Sequence, residues 1–116
     1  MKSGTDLINE SKARIRQVNS AEALALRTKG GVTFLDVRDQ QEVNLGRIPN
    51  AVHISRGNLE TKIEAVVPRD AEVVIYCASG NRSAFAADTM QQMGYTNVCS
   101  LAGGFRGWAE AGGEID

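Results

Sequence analysis

The chain is poor in the residues from which many functional sites are built. Its 116 residues include one histidine, His53, two cysteines, Cys77 and Cys99, two prolines and one tryptophan. One histidine with two cysteines cannot complete a tetrahedral zinc site, and two cysteines do not make a disulfide framework, so no metal is expected. No apolar run is long enough to cross a bilayer. The N-terminal stretch Met1–Glu10 lacks the apolar core of a signal peptide. Neither sign of charge dominates: the net charge is −1, which argues against nucleic acid or an anionic membrane surface as main partner. No internal repeat, low-complexity tract or linker interrupts the sequence. What is left is a soluble, cytoplasmic protein in a reducing compartment, long enough to bury its own core.

What the chain does contain is an alternation of two periodicities. Leu7, Ile8, Ser11 and Ile15 mark a short amphipathic helix over the first residues, running into an extended stretch Ile15–Val18. Residues 1–14 are therefore expected to be a helical extension and 15–116 the domain proper. Ser20 reads as the cap of a helix Ala21–Arg27 that ends at Gly30-Gly31. Val32–Val37 reads as a buried strand, and Asp39–Leu45 as a polar helical turn stopped by Gly46. Pro49-Asn50 turns the chain into a strand over Ala51–Ile54. Leu59, Ile63, Val66 and Val67 define one face of a further helix, ended by Pro68. The run Val73-Val74-Ile75-Tyr76 is β-branched and continuously apolar, as a strand covered on both faces is. A helix follows over Ala84–Met93, then a strand over Asn97–Leu101, and Gly103-Gly104 opens a last helical piece. Strands alternating with helices predict an α/β fold: three layers, a central five-stranded and mostly parallel sheet with helices on both faces.

Cys77 falls where the apolar strand meets the helix, inside the loop Cys77-Ala78-Ser79-Gly80-Asn81-Arg82-Ser83. In parallel sheets ligands collect beyond the carboxyl ends of the strands. Gly80 permits a positive φ, so successive N–H groups can turn inward. Ala78 and Ser79 are small and leave the mouth open. Asn81 tolerates unusual dihedrals and offers a polar tip. Arg82 carries a permanent positive charge. Ser83 reads as a helix cap whose hydroxyl also reaches the sulfur. Unpaired N–H groups and the positive end of the helix dipole make a thiol at this position easier to ionise. The pattern predicts a cysteine nucleophile in a cradle that stabilises negative charge.

In these residues the chain resembles the single-domain rhodaneses, thiosulfate-type sulfurtransferases, over residues 15 to 113. The motif Asp36-Val37-Arg38 is similar to the family's Asp-Val-Arg strand end. Glu42 with Gly46-Arg47-Ile48-Pro49-Asn50-Ala51 resembles its Glu and Gly-His-Ile-Pro-Gly-Ala segment. Cys77–Ser83 resembles the family's active loop, and Leu101–Trp108 its closing glycine-rich signature. Two positions depart: Arg47 stands where histidine is usual and Asn50 where glycine is. Asparagine accepts the same left-handed geometry, and Arg47 adds charge near the pocket rim, where it bears on acceptor preference. The resemblance implies that Cys77 takes a sulfur from a small-molecule donor, thiosulfate or a persulfide, and passes it to cyanide or a thiol. Residues 78 to 83 would bind the substrate. It implies no metal and no organic cofactor.

Other readings attach to the same residues. Related phosphatase and arsenate reductase domains carry one more residue between cysteine and arginine, whereas four residues separate Cys77 from Arg82 here. A persulfide relay or docking module serving a protein sulfur acceptor is the other alternative. Cys99, between Val98 and Leu101 in a strand, reads as buried packing. His53 reads as an outward-facing strand residue without a catalytic role. Asp36, Arg38 and Glu42 read as a structural ion-pair network beside the loop, Arg38 pairing with Glu42 four residues away. Phe105 and Trp108 read as packing beneath the loop, and Arg56, Lys62, Arg69 and Arg106 as surface charges.

Overall fold

The computed structural model describes residues 1–116. Five strands form one sheet: β1 (Arg16–Val18), β2 (Val32–Asp36), β3 (Val52–His53), β4 (Glu72–Tyr76) and β5 (Val98–Leu101). Their order is β1-β5-β4-β2-β3, and every neighbouring pair is parallel. The helices are α1 (Gly4–Arg14), α2 (Ser20–Lys29), α3 (Gln40–Asn44), α4 (Leu59–Val66), α5 (Asn81–Gln92) and α6 (Gly104–Glu110), with a 3-10 turn at Arg56–Asn58 leading into α4. None is long and apolar enough to cross a membrane.

Parallel strands need crossovers, and these cover both faces of the sheet with helices. One core joins Val73, Ile75 and Cys77 of the β4 segment to Leu59 and Ile63 of α4 and to Ala86, Ala87 and Met90 of α5. The other joins Val74 and Tyr76 to Ala23 of α2 and Trp108 of α6, with Cys99 and Leu101 of β5. Because side chains alternate along a strand, Cys77 and Cys99 lie on opposite faces of the sheet.

Local signals set the helix boundaries. The first turn of α2 is capped by Asn19, not Ser20: the Asn19 side chain accepts from the Glu22 N–H at 2.8 Å, and Glu22 accepts in return from the Asn19 N–H at 3.0 Å. The Asn-x-x-Glu spacing closes a capping box one residue earlier than expected. Ser3 and Asp6 make the same reciprocal pair at the start of α1. On α4, Val66 points into solvent while Val67, just past the last turn, is buried. Asn50 adopts φ 66°, the left-handed conformation expected there.

The N-terminal helix α1 lies against α5. Asp88, buried in the middle of α5, accepts from the Ser11 hydroxyl at 3.1 Å and from Arg14 Nη2 at 2.7 Å. The helix that carries the cysteine loop is thereby fixed from behind.

Candidate active site

Cys77 immediately follows β4, a strand with neighbours on both sides, at its carboxyl end. On one side the chain winds outward from β2 to β3, on the other from β4 to β5 towards β1. The loop therefore opens where the winding reverses, the place at which open parallel sheets bind ligands.

Gly80 turns the loop with φ 106°, a conformation costly for any side chain, and α5 begins at Asn81. Gly80 occupies the cap position, so Ser83 lies inside the first turn and its hydroxyl is free for other partners. Asn81 takes up ordinary helical geometry with an exposed side chain, since Gly80 alone supplies the left-handed residue. The loop closes around the sulfur: the Gly80 N–H donates to Cys77 Sγ at 3.1 Å and the Ser83 N–H at 3.4 Å. Ser83 Oγ lies 3.5 Å from Sγ and 2.8 Å from the hydroxyl of Ser100 on β5. Ala78 is half-buried and Ser79 exposed at the mouth, while Cys77 itself is 1% exposed.

Burial alone pushes the Cys77 thiol up. The Ser83 hydroxyl, with the N–H groups of Ser83, Gly80 and Ser79, more than offsets it, and the thiol lies below the ordinary cysteine value. Cys99 is the internal control. It is equally buried but its sulfur receives no N–H group, and burial pushes it up to about 11. The difference between the two cysteines is made by loop dipoles and one hydroxyl.

The loop is anchored from α6 as well. The Phe105 N–H donates to the Cys77 carbonyl at 2.7 Å and the Arg106 N–H to the Ala78 carbonyl at 3.2 Å. This approach requires Gly104: at φ 58°, a Cβ there would meet the Cys77 and Ala78 carbonyl oxygens at 2.6 Å.

Two ion pairs flank the loop, partnered differently from the sequence expectation. Arg38 turns back to Asp36 rather than forward to Glu42. Its Nη2 donates to Asp36 Oδ2 at 2.7 Å and to the Gly46 carbonyl at 2.7 Å, with both side chains buried. The guanidinium lies 4.4 Å from the Phe105 ring centre, tying the end of β2 to α6. Glu42 is thereby left to Arg82, which donates to it through both terminal nitrogens at 2.6 and 2.9 Å. The hydrogen bond from Arg82 draws the Glu42 carboxyl down to about 2 against the effect of burial.

The matched family follows the same residues: a model described as the rhodanese-like domain fits residues 19–111. The chain belongs to the rhodanese family. It is 37% identical over 81 residues to a sulfurtransferase of Allochromatium vinosum, covering 70% of this chain and 75% of that one. It is 35% identical over 96 residues to the thiosulfate sulfurtransferase GlpE of Pseudomonas fluorescens, covering 83% and 86%. Among solved structures, a Rhodopseudomonas palustris protein of unknown function, described as a possible tyrosine phosphatase, superimposes with a TM-score of 0.91 at 35% identity, covering 100% of this chain and 96% of that one.

In this rhodanese the contacts to the Cys77 sulfur come from Gly80 and Ser83. Ser79 and Asn81 are exposed, Ala78 lies half-buried at the mouth, and Arg82 pairs with Glu42, while Arg38 pairs with Asp36 at the end of β2. His53 stands apart from the sulfur and contacts the Arg38 carbonyl through Nε2 at 2.7 Å. Trp108 does not lie beneath the loop: it packs against Phe34 at 5.8 Å on the face opposite Cys77. Arg56 bridges Glu60 and Thr89. Ser100 escaped the sequence reading. Its one visible signal is a hydroxyl in an otherwise apolar strand buried at every position.

Proposed function

We propose that the protein is a sulfurtransferase in which Cys77 carries a sulfane sulfur as a persulfide. The thiolate attacks the outer sulfur of a donor such as thiosulfate. The donor's sulfur–sulfur bond breaks, its electron pair leaves on sulfite, and a cysteine persulfide forms. An acceptor nucleophile, cyanide or a thiol, then attacks the terminal sulfur and the thiolate returns.

The observation that supports this reading is the pair of N–H groups, from Gly80 and Ser83, aimed at Cys77 Sγ. They stabilise the sulfur anion in the resting state and an anionic persulfide after transfer, in the way fixed dipoles stabilise an oxyanion. No general base is needed. The sulfurtransferases among the relatives point the same way. Residues 78 to 83 bind the donor, and Asp36, Arg38 and Glu42 hold the loop in shape. The acceptor is a small thiol or a thiol on a partner protein, and the reaction belongs in a reducing, cytoplasmic setting.

The test is a thiosulfate:cyanide assay on the native chain and on Cys77→Ser. Thiocyanate formation by the first and none by the second supports the reading. Hydrolysis of an aryl phosphate without sulfur transfer would replace it with the phosphatase alternative.

A further inference from the structure

Beneath the sulfur lies a chain of hydrogen bonds that runs out of the loop and into the sheet. Ser100 pairs in register with Ile75, and alternation along β5 sends its side chain to the α5 face, the face of Cys77, while Cys99 and Leu101 face the other way. There its hydroxyl meets Ser83 Oγ at 2.8 Å, and Ser83 Oγ meets Cys77 Sγ at 3.5 Å. Both serines are fully buried. The Ser100 hydroxyl makes no other side-chain hydrogen bond.

We propose that Ser100 is a positioning residue for the reacting sulfur: its hydroxyl donates to Ser83 and so turns the Ser83 proton towards Cys77. The inference rests on Cys77 being the reactive thiolate.

Counting protons gives the reason. Three heteroatoms, Sγ, Ser83 Oγ and Ser100 Oγ, share two links. The thiol form brings three protons to those two links, so one buried donor is left over within the chain whichever way the hydroxyls turn. The thiolate brings two. Ser100 then donates to Ser83, Ser83 donates to sulfur, and every proton in the chain has an acceptor. A buried donor without a partner is costly, so the chain favours the anion. Without Ser100 the Ser83 hydroxyl still has its proton, but nothing fixes its direction.

Other charged and titratable groups lie on the elements around the loop: the Arg82–Glu42 pair with Asp39 nearby, the Asp36–Arg38 pair at the end of β2, Tyr76 on β4 and Arg106 on α6, with His53 farther out on the edge strand β3. None of them bonds to Ser100, so replacing Ser100 leaves each of their partners in place.

The experiment is the rate at which iodoacetamide alkylates Cys77, followed by peptide mass spectrometry as a function of pH. It is done on the native chain, Ser100→Ala, Ser83→Ala and the double variant. Loss of one directing hydrogen bond predicts that Ser100→Ala reacts about 3- to 10-fold more slowly at neutral pH, with the midpoint of its profile moved upward. Ser83→Ala shifts it at least as far, and the double variant no further than Ser83→Ala. Ser100→Thr, which keeps a hydroxyl, retains the native profile. An unchanged profile in Ser100→Ala overturns the proposal. So does a double variant whose shift is the sum of the two single ones, because Ser100 would then act without Ser83. Should Ser100→Ala fail to fold, an unchanged profile in Ser83→Ala overturns it equally. The readout is alkylation, so a chain inactive with thiosulfate would sink the functional reading without deciding this one.

Discussion

Arg82 gives both of its terminal nitrogens to Glu42 and none to the sulfur. The most obvious positive charge of the loop is thus balanced by a carboxylate from α3. Stabilising negative charge on Cys77 is left to the N–H groups of Gly80 and Ser83 and to the Ser83 hydroxyl. Arg82 shapes the rim and holds α3 against α5, while peptide dipoles stabilise the sulfur.

Replacing Arg82 should therefore weaken the reaction without abolishing it. We expect Arg82→Met to lower kcat/KM with thiosulfate by about tenfold, equivalent to roughly 1.4 kcal/mol of transition-state stabilisation. Steady-state kinetics decides this. A loss as complete as that of Cys77→Ser would mean that the guanidinium, rather than the backbone, carries the anion.

The Glu42–Arg82 pair also sets a pH dependence. The folded carboxyl is held at about 2, below its ordinary 4.5. A depressed acid stabilises the fold fully above the unfolded value and loses that contribution as pH falls through the folded one. The gap in unfolding free energy between the native chain and Glu42→Gln should be full at pH 6, shrink below about pH 4.5, and vanish near pH 2. Both side chains are about one-third exposed, so solvent screening limits the gap to about 1 kcal/mol or less. Urea unfolding at several pH values measures it. A gap that widened in acid would contradict the pairing.

Gly104 allows α6 to lie directly on the loop. Its left-handed φ of 58° and the 2.6 Å approach of the Cys77 and Ala78 carbonyls leave no space for a methyl group. Gly104→Ala should destabilise the protein by about 2 to 4 kcal/mol and remove most of the activity, since the loop must shift. Gly30→Ala is the comparison: it too has positive φ, but open space around it, and activity should persist. Denaturant melts with a parallel assay distinguish backbone strain from loop displacement.

Asp88 ties α1 to α5 through Ser11 and Arg14. Asp88→Ala should cost about 1 to 3 kcal/mol, because the buried Ser11 hydroxyl loses its acceptor; Arg14, 57% exposed, regains water. It should also speed amide exchange through residues 4–14 before any other helix. Uniform protection across α1 in the variant would show that apolar packing, and not this carboxylate, holds the helix.

Sequence patterns carried the architecture well because β2 and β4 are short, mainly apolar runs and glycine or proline stands near the ends of most elements; β1, Arg16-Gln17-Val18, is the exception. The cysteine loop was legible too, since Gly80, Arg82 and the start of α5 are neighbours in sequence. What the sequence left obscure depends on separation in space. Arg38 had two acidic neighbours in reach, and only the buried turn back to Asp36, closed by the Gly46 carbonyl, selects between them. Ser83 looked like a cap until Gly80 took that position. Ser100 lies 17 residues from Ser83, and nothing local marks it except polarity in a buried strand. Trp108 lies in the other layer because α6 touches the loop through its first residues while its later turn packs on Phe34.

Mass spectrometry of the intact chain after exposure to thiosulfate tests the persulfide most directly. A gain of one sulfur atom, mapped to Cys77, lost on adding cyanide and absent from Cys77→Ser, is the predicted result. An unchanged mass, or a sulfur found on Cys99, would contradict it.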